Sequence, residues 1–215
     1  MTALCGLILA AGASSRMGTD KALLPWPAGA MDGATLLSAG IHALQPFTQA
    51  VVVVAGKNAE WLTPVVEGCG AFPVRNPEPE RGQFSSLQVG LRELLARGFA
   101  AAMITPVDCP PLGPASLALL HHAFESARTR GLWAVAPEHD GKHGHPLFAD
   151  RALVDAFLAA TVTGNAREVL HSHAPRIEYI PVPDILEKAG LNNPADYAAA
   201  AAGAQTRLRG NLPSS

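Results

Sequence analysis

The stretch Gly6–Leu24, GLILAAGASSRMGTDKALL, carries an apolar run straight into a polar loop bounded by Gly12 and Gly18 and holding Arg16 and Lys21. The run predicts a core strand and the loop a phosphate cradle. Glycines allow unusual dihedrals, backbone N–H groups can converge on an anion, and the two cations supply compensating charge. Spacing narrows the choice. A Walker loop needs Gly-x4-Gly-Lys-Ser/Thr, whereas five residues separate Gly12 from Gly18 and Ala22 follows Lys21. A dinucleotide fingerprint needs Gly-x-Gly-x-x-Gly, but Ser14 stands two after Gly12 and no apolar helical period begins before Leu36.

The order Leu9-Ala10-Ala11-Gly12-x-Ser14-Ser15-Arg16-Met17-Gly18-x-x-Lys21 resembles the signature loop of nucleotidyltransferases, and in its details that of the MobA-like family, which attaches nucleotides to molybdopterin. The resemblance spans most of residues 4 to 197. It implies a three-layer α/β/α sandwich on a Rossmann-like, mostly parallel sheet, with the nucleotide bound by the N-terminal half.

Composition gives the frame. With 215 residues, 48% hydrophobic and 16% charged, the chain suits one well-buried domain better than two. A formal net charge of -2 argues against broad binding to nucleic acid and leaves room for a local cationic pocket and a small anionic partner. No apolar stretch approaches the roughly 20 residues of a membrane span, and no basic segment precedes a long apolar run at the N-terminus, so a cytoplasmic location is expected. Cys5, Cys69 and Cys109 lack C-x-x-C spacing and read as buried or incidental thiols.

Continuous apolar runs at 4–9, 50–55, 100–105 and 132–136 suit strands covered on both faces. Between them Leu37, Ile41 and Leu44, then Leu87, Leu91, Leu94 and Leu95, then Leu117, Leu120 and Phe124 recur at helical spacing. Alternating strands and helices give an α/β sandwich, whose ligands gather beyond the carboxyl ends of the strands. That rule puts the loops after Leu9 and after Thr105 on one rim. From about Lys142 to Tyr197 the pattern is less regular, with a short apolar piece at 146–149, helices around 152–159 and 166–170 and a strand at 176–180; this region is expected to be an acceptor-binding elaboration. The domain is taken as 1–203, the alanines at 198–202 finishing a helix and 204–215 forming a flexible tail.

Arg16 and Lys21 are the first candidates for chemistry, because charge building on a departing pyrophosphate is best relieved by fixed cations. Ser14 and Ser15 either donate to phosphate or satisfy the turn's own backbone. With Leu9, Ala10, Ala11, Gly12 and Gly18 they make up the expected nucleotide loop. Asp108, in TPVDCPPL, follows a strand and is placed to hold Mg2+ against triphosphate oxygens. The segment resembles the family's Gly-Asp-Met-Pro-x-Leu, with Asp108, Pro110 and Leu112 kept. A second metal ligand falls on Asn192 in LNNPADY, which matches a family Asn/Asp-x-Asn/Asp-Thr-Pro-Glu-Asp segment except that Gly190 replaces its first acidic or amide position. Asn192, Asn193 and Asp196 can equally open a helix with Pro194 in its first turn.

In RGQFSSLQVGL, Ser85 followed by Gln88 reads as a capping box opening a helix whose amide end can bind an anion. Gly82, Ser85, Ser86 and Leu87 resemble a family loop lying against nucleotide or pterin, so Ser85 and Ser86 join the nucleotide set. His139, His143 and His145 lie close enough in sequence to raise a metal site, though their spacing is unlike zinc motifs. Gly144, His145 and Pro146 resemble instead a Gly-His-Pro element of the cytidylyl branch, which implies contact with the acceptor.

The resemblance therefore implies Mg2+-dependent transfer of NMP, from CTP in preference to another NTP, to the phosphate of a molybdopterin-type acceptor. The guanylyl branch commonly has Leu-Ala-Gly-Gly where this chain has Leu9-Ala10-Ala11-Gly12, and the extra methyl at Ala11 narrows the space for a purine. A client molybdoenzyme is a further possible partner. Guanylyl transfer, sugar 1-phosphate nucleotidyl transfer, and a non-catalytic carrier of molybdopterin or its nucleotide stand as alternatives.

Overall fold

The computed structural model describes residues 3–12, 19–27, 33–161, 164–183, 190–191 and 193–210, the last eight of these in backbone only. Four parallel strands form one half of the sheet: β1 (Leu4–Ala10), β2 (Ala50–Ala55), β3 (Phe72–Arg75) and β4 (Ala101–Pro106), in the spatial order β3-β2-β1-β4. Beyond β4 the sheet is mixed. β7 (Leu147–Ala149) runs antiparallel between β4 and β5 (Ala134–His139), and β5 also pairs with the two-residue β6 (Lys142–His143) and, in parallel, with β8 (Ile177–Pro181). Every residue of β1 and β4 is buried, as expected of strands covered on both faces.

The strand pleat divides the core into two layers. Leu4, Ile8, Val51, Val53 and Met103 meet α1 (Leu36–Leu44), α2 (Ala59–Gly68) and α4 (Pro114–Thr129). Leu7, Leu9, Val52, Val54 and Ile104 meet α3 (Gln83–Ala96) and α5 (Arg151–Ala159), with α6 (Ala166–Ser172) beyond. The expected three-layer sandwich is thus observed. Gly90 lets α3 come close to the sheet: a Cβ there would stand 2.4 Å from Leu7 Cδ1. A third cluster, Trp26, Leu36, Leu191, Ala200 and Ala201, seats α7 (Pro194–Gly210) against the start of α1. Tyr197 joins it, its hydroxyl donating to Pro25 O at 2.5 Å.

Two expectations change. The segment 204–210, read as tail, continues α7 to Gly210, because alanine, glutamine, arginine and leucine all favour the helix once the buried Ala200 and Ala201 have anchored it. Ser85 opens no capping box. The helix α3 begins two residues earlier, at Gln83, after Gly82 with φ 93° and no side-chain cap. Residue 82 needs the left-handed backbone that glycine permits, and that sets the start of the helix.

Candidate active site

The carboxyl ends of β1 and β4 are adjacent, and Val107 N donates to Leu9 O at 3.0 Å, holding the two following loops side by side. A cavity of about 660 Å3 opens above them, with Leu9, Ala11, Gly12 and Lys21 on one wall, Pro106, Val107 and Asp108 on another, and Lys57, Trp61, Gly82, Gln83 and Ser86 facing them. Lys21 Nζ donates to Asp108 Oδ2 at 3.2 Å. Both side chains are partly buried, 14% and 28% exposed, so their charges remain reachable from the cavity. Asp108 is fixed from behind as well, since its backbone carbonyl accepts from Leu191 N at 2.8 Å. The segment leading to Asn192 is thereby bound to the loop that carries Asp108.

Ser14, Ser15, Arg16, Gly18 and Asn192, all singled out in the sequence, lie outside the described residues. Gly12 is described and has no positive φ, and among the described residues no atom lies within 4 Å of where a Cβ would sit. It lines the cavity without the left-handed backbone that was expected of it. Ala10 ends β1 as a buried residue, whereas Leu9 and Ala11 reach the cavity.

Ser85 and Ser86 are buried, and both hydroxyls accept from Asn76 Nδ2 at 2.9 Å. Ser85 Oγ in turn donates to Gly82 O at 2.8 Å. Only Ser86 of the pair lines the cavity, so Ser85 serves the loop behind it. The three loop histidines do not converge. His139 and His143 belong to the β5–β6 hairpin, His143 stacking on Tyr179 with ring centroids 3.6 Å apart, while His145 turns inward before a cis Pro146. Burial pushes the His145 pKa below its ordinary value, opposed by a backbone hydrogen bond to Ile104 and by the charge of Asp108. Its Nδ1 is buried and has no hydrogen-bond partner among the described residues. Among the described residues no three His, Cys, Asp or Glu side chains come together as a metal cluster. Cys109, beside Asp108, is pushed up to about 12, chiefly by burial, and is no nucleophile at neutral pH.

The sequence reading passed over Asp20, Lys57, Asn58, Trp61 and Asn76. Asn58 donates through Nδ2 to Ala10 O at 2.9 Å and to Asp20 Oδ2 at 2.6 Å. Trp61 stands 68% exposed at the cavity wall. Neither the exposure of Trp61 nor the partners of the asparagines can be read until the elements are placed in space.

The family comparison decides what the geometry of the cavity leaves open: residues 6–177 match the MobA-like NTP transferase domain. The chain belongs to that family. A probable molybdenum cofactor guanylyltransferase of Rhodopirellula baltica is 33% identical over 67% of this chain and 65% of its own length, so the alignment spans just under two thirds of that relative. The molybdenum cofactor guanylyltransferase of Rhodobacter capsulatus is 31% identical over 98% of this chain and 99% of its own. The molybdenum cofactor cytidylyltransferase of Escherichia coli is 28% identical over 79% and 82%. In fold, this MobA-like chain matches a nucleotidyl transferase from Methanothermobacter with TM-score 0.74 at 22% identity, over 98% of this chain and 100% of that one. It also matches a Mycobacterium tuberculosis protein in complex with manganese, with TM-score 0.67 at 19% identity, over 94% and 99%. No described helix is long and apolar enough to cross a membrane.

Proposed function

We propose that this MobA-like protein transfers CMP from CTP to the terminal phosphate of a molybdopterin-type acceptor, releasing pyrophosphate. The observation that carries the reading is the Lys21–Asp108 pair at the strand-end cavity. Lys21 is the cation for the triphosphate, with Arg16 as its partner from the same loop. Ala11, Gly12 and Ser86 line the space for nucleotide. Gly144, His145 and Pro146 contact the acceptor. The residues fit a divalent cation of the magnesium type, which keeps few protein carboxylates and takes most of its ligands from phosphate and water. Asp108 is such a carboxylate, with Asn192 as a neutral second ligand, and the ion when bound neutralises phosphate charge.

The acceptor phosphate oxygen attacks the α-phosphorus, a new P–O bond forms, and the bond to the β-phosphate breaks with its electron pair leaving on pyrophosphate. A phosphate monoester is already anionic, so no general base is needed. Catalysis then consists of alignment by the two loops and charge relief by Lys21 and Arg16. CTP is favoured because Ala11 brings a methyl group to the wall where the guanylyl branch has glycine. The relatives named guanylyltransferases favour GTP as the second reading.

The test combines the protein with CTP or GTP, Mg2+ or Mn2+, and molybdopterin, and measures pyrophosphate. Release with CTP supports the reading; faster release with GTP replaces the base. Release only with a sugar 1-phosphate replaces the acceptor. Nucleotide binding without pyrophosphate identifies a carrier.

A further inference from the structure

Asn58 occupies the N-cap of α2, where an asparagine ordinarily accepts from the first turn of its own helix, yet its side chain makes no cap hydrogen bond. It faces away from the helix. Nδ2 reaches Ala10 O at 2.9 Å, at the point where β1 ends, and Asp20 Oδ2 at 2.6 Å, nine residues of loop later. Oδ1 accepts from Gly56 N at 2.9 Å, which fixes the amide's orientation, since the flipped group would set oxygen against two acceptors. Asp20 is held by both oxygens: Oδ1 takes Ala22 N at 3.0 Å and caps the 3-10 turn that begins with Lys21.

We propose that Asn58 is a positioning residue, a clasp that joins the entry and exit of the loop between Ala10 and Asp20 and thereby sets Lys21 within reach of Asp108 and the triphosphate. The last step rests on the proposed nucleotidyl transfer; the clasp itself does not. Only an asparagine serves all three bonds at this length. Aspartate has no donor for Ala10 O or for Asp20, serine has one hydrogen, and glutamine carries its amide one methylene too far.

The test compares the wild-type chain with Asn58→Asp and with the exchange Asn58→Asp/Asp20→Asn. The exchange lets the new amide at 20 donate to the new carboxylate at 58 while still accepting from Ala22 N. In Asn58→Asp, amide hydrogen exchange at Ala22 is expected to quicken about tenfold or more while Val53 in β2 and Leu91 in α3 stay protected. KM for the nucleotide is expected to rise about tenfold with KM for the acceptor within about twofold, and the exchange variant to recover part of both effects, because it restores the bond between positions 58 and 20 and not the one to Ala10 O. Unchanged exchange at Ala22 overturns the proposal. So do a loss of protection spread over the whole sheet, or equal rises in the two KM values. A wild-type protein that turns over no nucleotide removes the kinetic half, which is the failure of the proposed function, and leaves the exchange at Ala22 to decide the clasp.

Discussion

Lys21 Nζ lies 3.2 Å from Asp108 Oδ2, joining two loops whose residues are 87 apart in sequence. The pair is only partly buried, so its contribution to stability is small, about 0–1 kcal/mol. Its value lies in placement. On the proposed reading Lys21 would relieve phosphate charge and Asp108 would hold a divalent ion. For Asp108→Asn the expected result is a fall in metal-dependent pyrophosphate release of about a hundredfold or more, with the melting temperature nearly unchanged. Undiminished turnover in that variant removes Asp108 from the mechanism.

Trp61 offers a direct optical reading of the cavity. It is one of the few large apolar side chains left exposed, at 68%, and it shares the cavity wall with Lys57 and Gly82. A planar base entering there would stack on the indole, an interaction of about 1–3 kcal/mol for bases on aromatic side chains. Nucleotide is expected to quench fluorescence in the wild type and to leave it nearly unchanged in Trp61→Phe, whose remaining tryptophans are the buried Trp26 and the half-buried Trp133. Apparent affinity should weaken about tenfold in Trp61→Ala. Equal quenching in the wild type and Trp61→Phe would place the base elsewhere.

The half-buried His145 makes stability depend on pH. Its folded pKa lies below the ordinary 6.5, because burial penalises the charged ring. Above that ordinary value both folded and unfolded states hold a neutral ring, and the residue adds no pH dependence. As pH falls below about 6.5 the unfolded chain takes up a proton that the folded chain refuses, so stability decreases until the folded pKa is passed. Urea unfolding at stepped pH is expected to show this decline, and His145→Gln to flatten it. An identical decline in the variant would assign the slope to other groups.

Strands β1, β2, β4 and β5 were legible because they are largely buried on both faces, and such strands appear as unbroken apolar runs. The elements missed, α2 and β3, carry weak signals. α2 contains Pro64 and buries only Leu62 and Val66 fully, while β3 is a four-residue edge strand with no buried residue. At the site, Lys21 stood out as a cation of the glycine-bounded loop after β1, and Asp108 as a carboxylate just past the end of β4. Asn58 and Asn76 did not, since their partners Ala10, Asp20, Ser85 and Ser86 become neighbours only through strand pairing and loop closure. The insertion of β7 between β4 and β5 was equally invisible, for strand order follows from long-range pairing and not from local pattern.

Gly12, in the loop after β1, and Gly56, packed against the start of that loop, should respond in opposite ways. At Gly12 an added Cβ meets nothing within 4 Å among the described residues and needs no left-handed backbone, and a larger side chain would project from the cavity wall. Gly12→Val is therefore expected to keep the stability of the wild type within about 0.5 kcal/mol while weakening nucleotide binding about tenfold or more. At Gly56 a Cβ would stand 2.8 Å from Ala11 O and 3.0 Å from the Pro79 Cβ, and backbone cannot yield as a side-chain tip can. Gly56→Ala should cost about 1–3 kcal/mol of stability, because the end of β2 or the start of the first loop has to shift. Urea melts and nucleotide titrations on the two variants separate the effects. A Gly12→Val protein that binds nucleotide as tightly as the wild type would mean that the triphosphate does not pass along this wall.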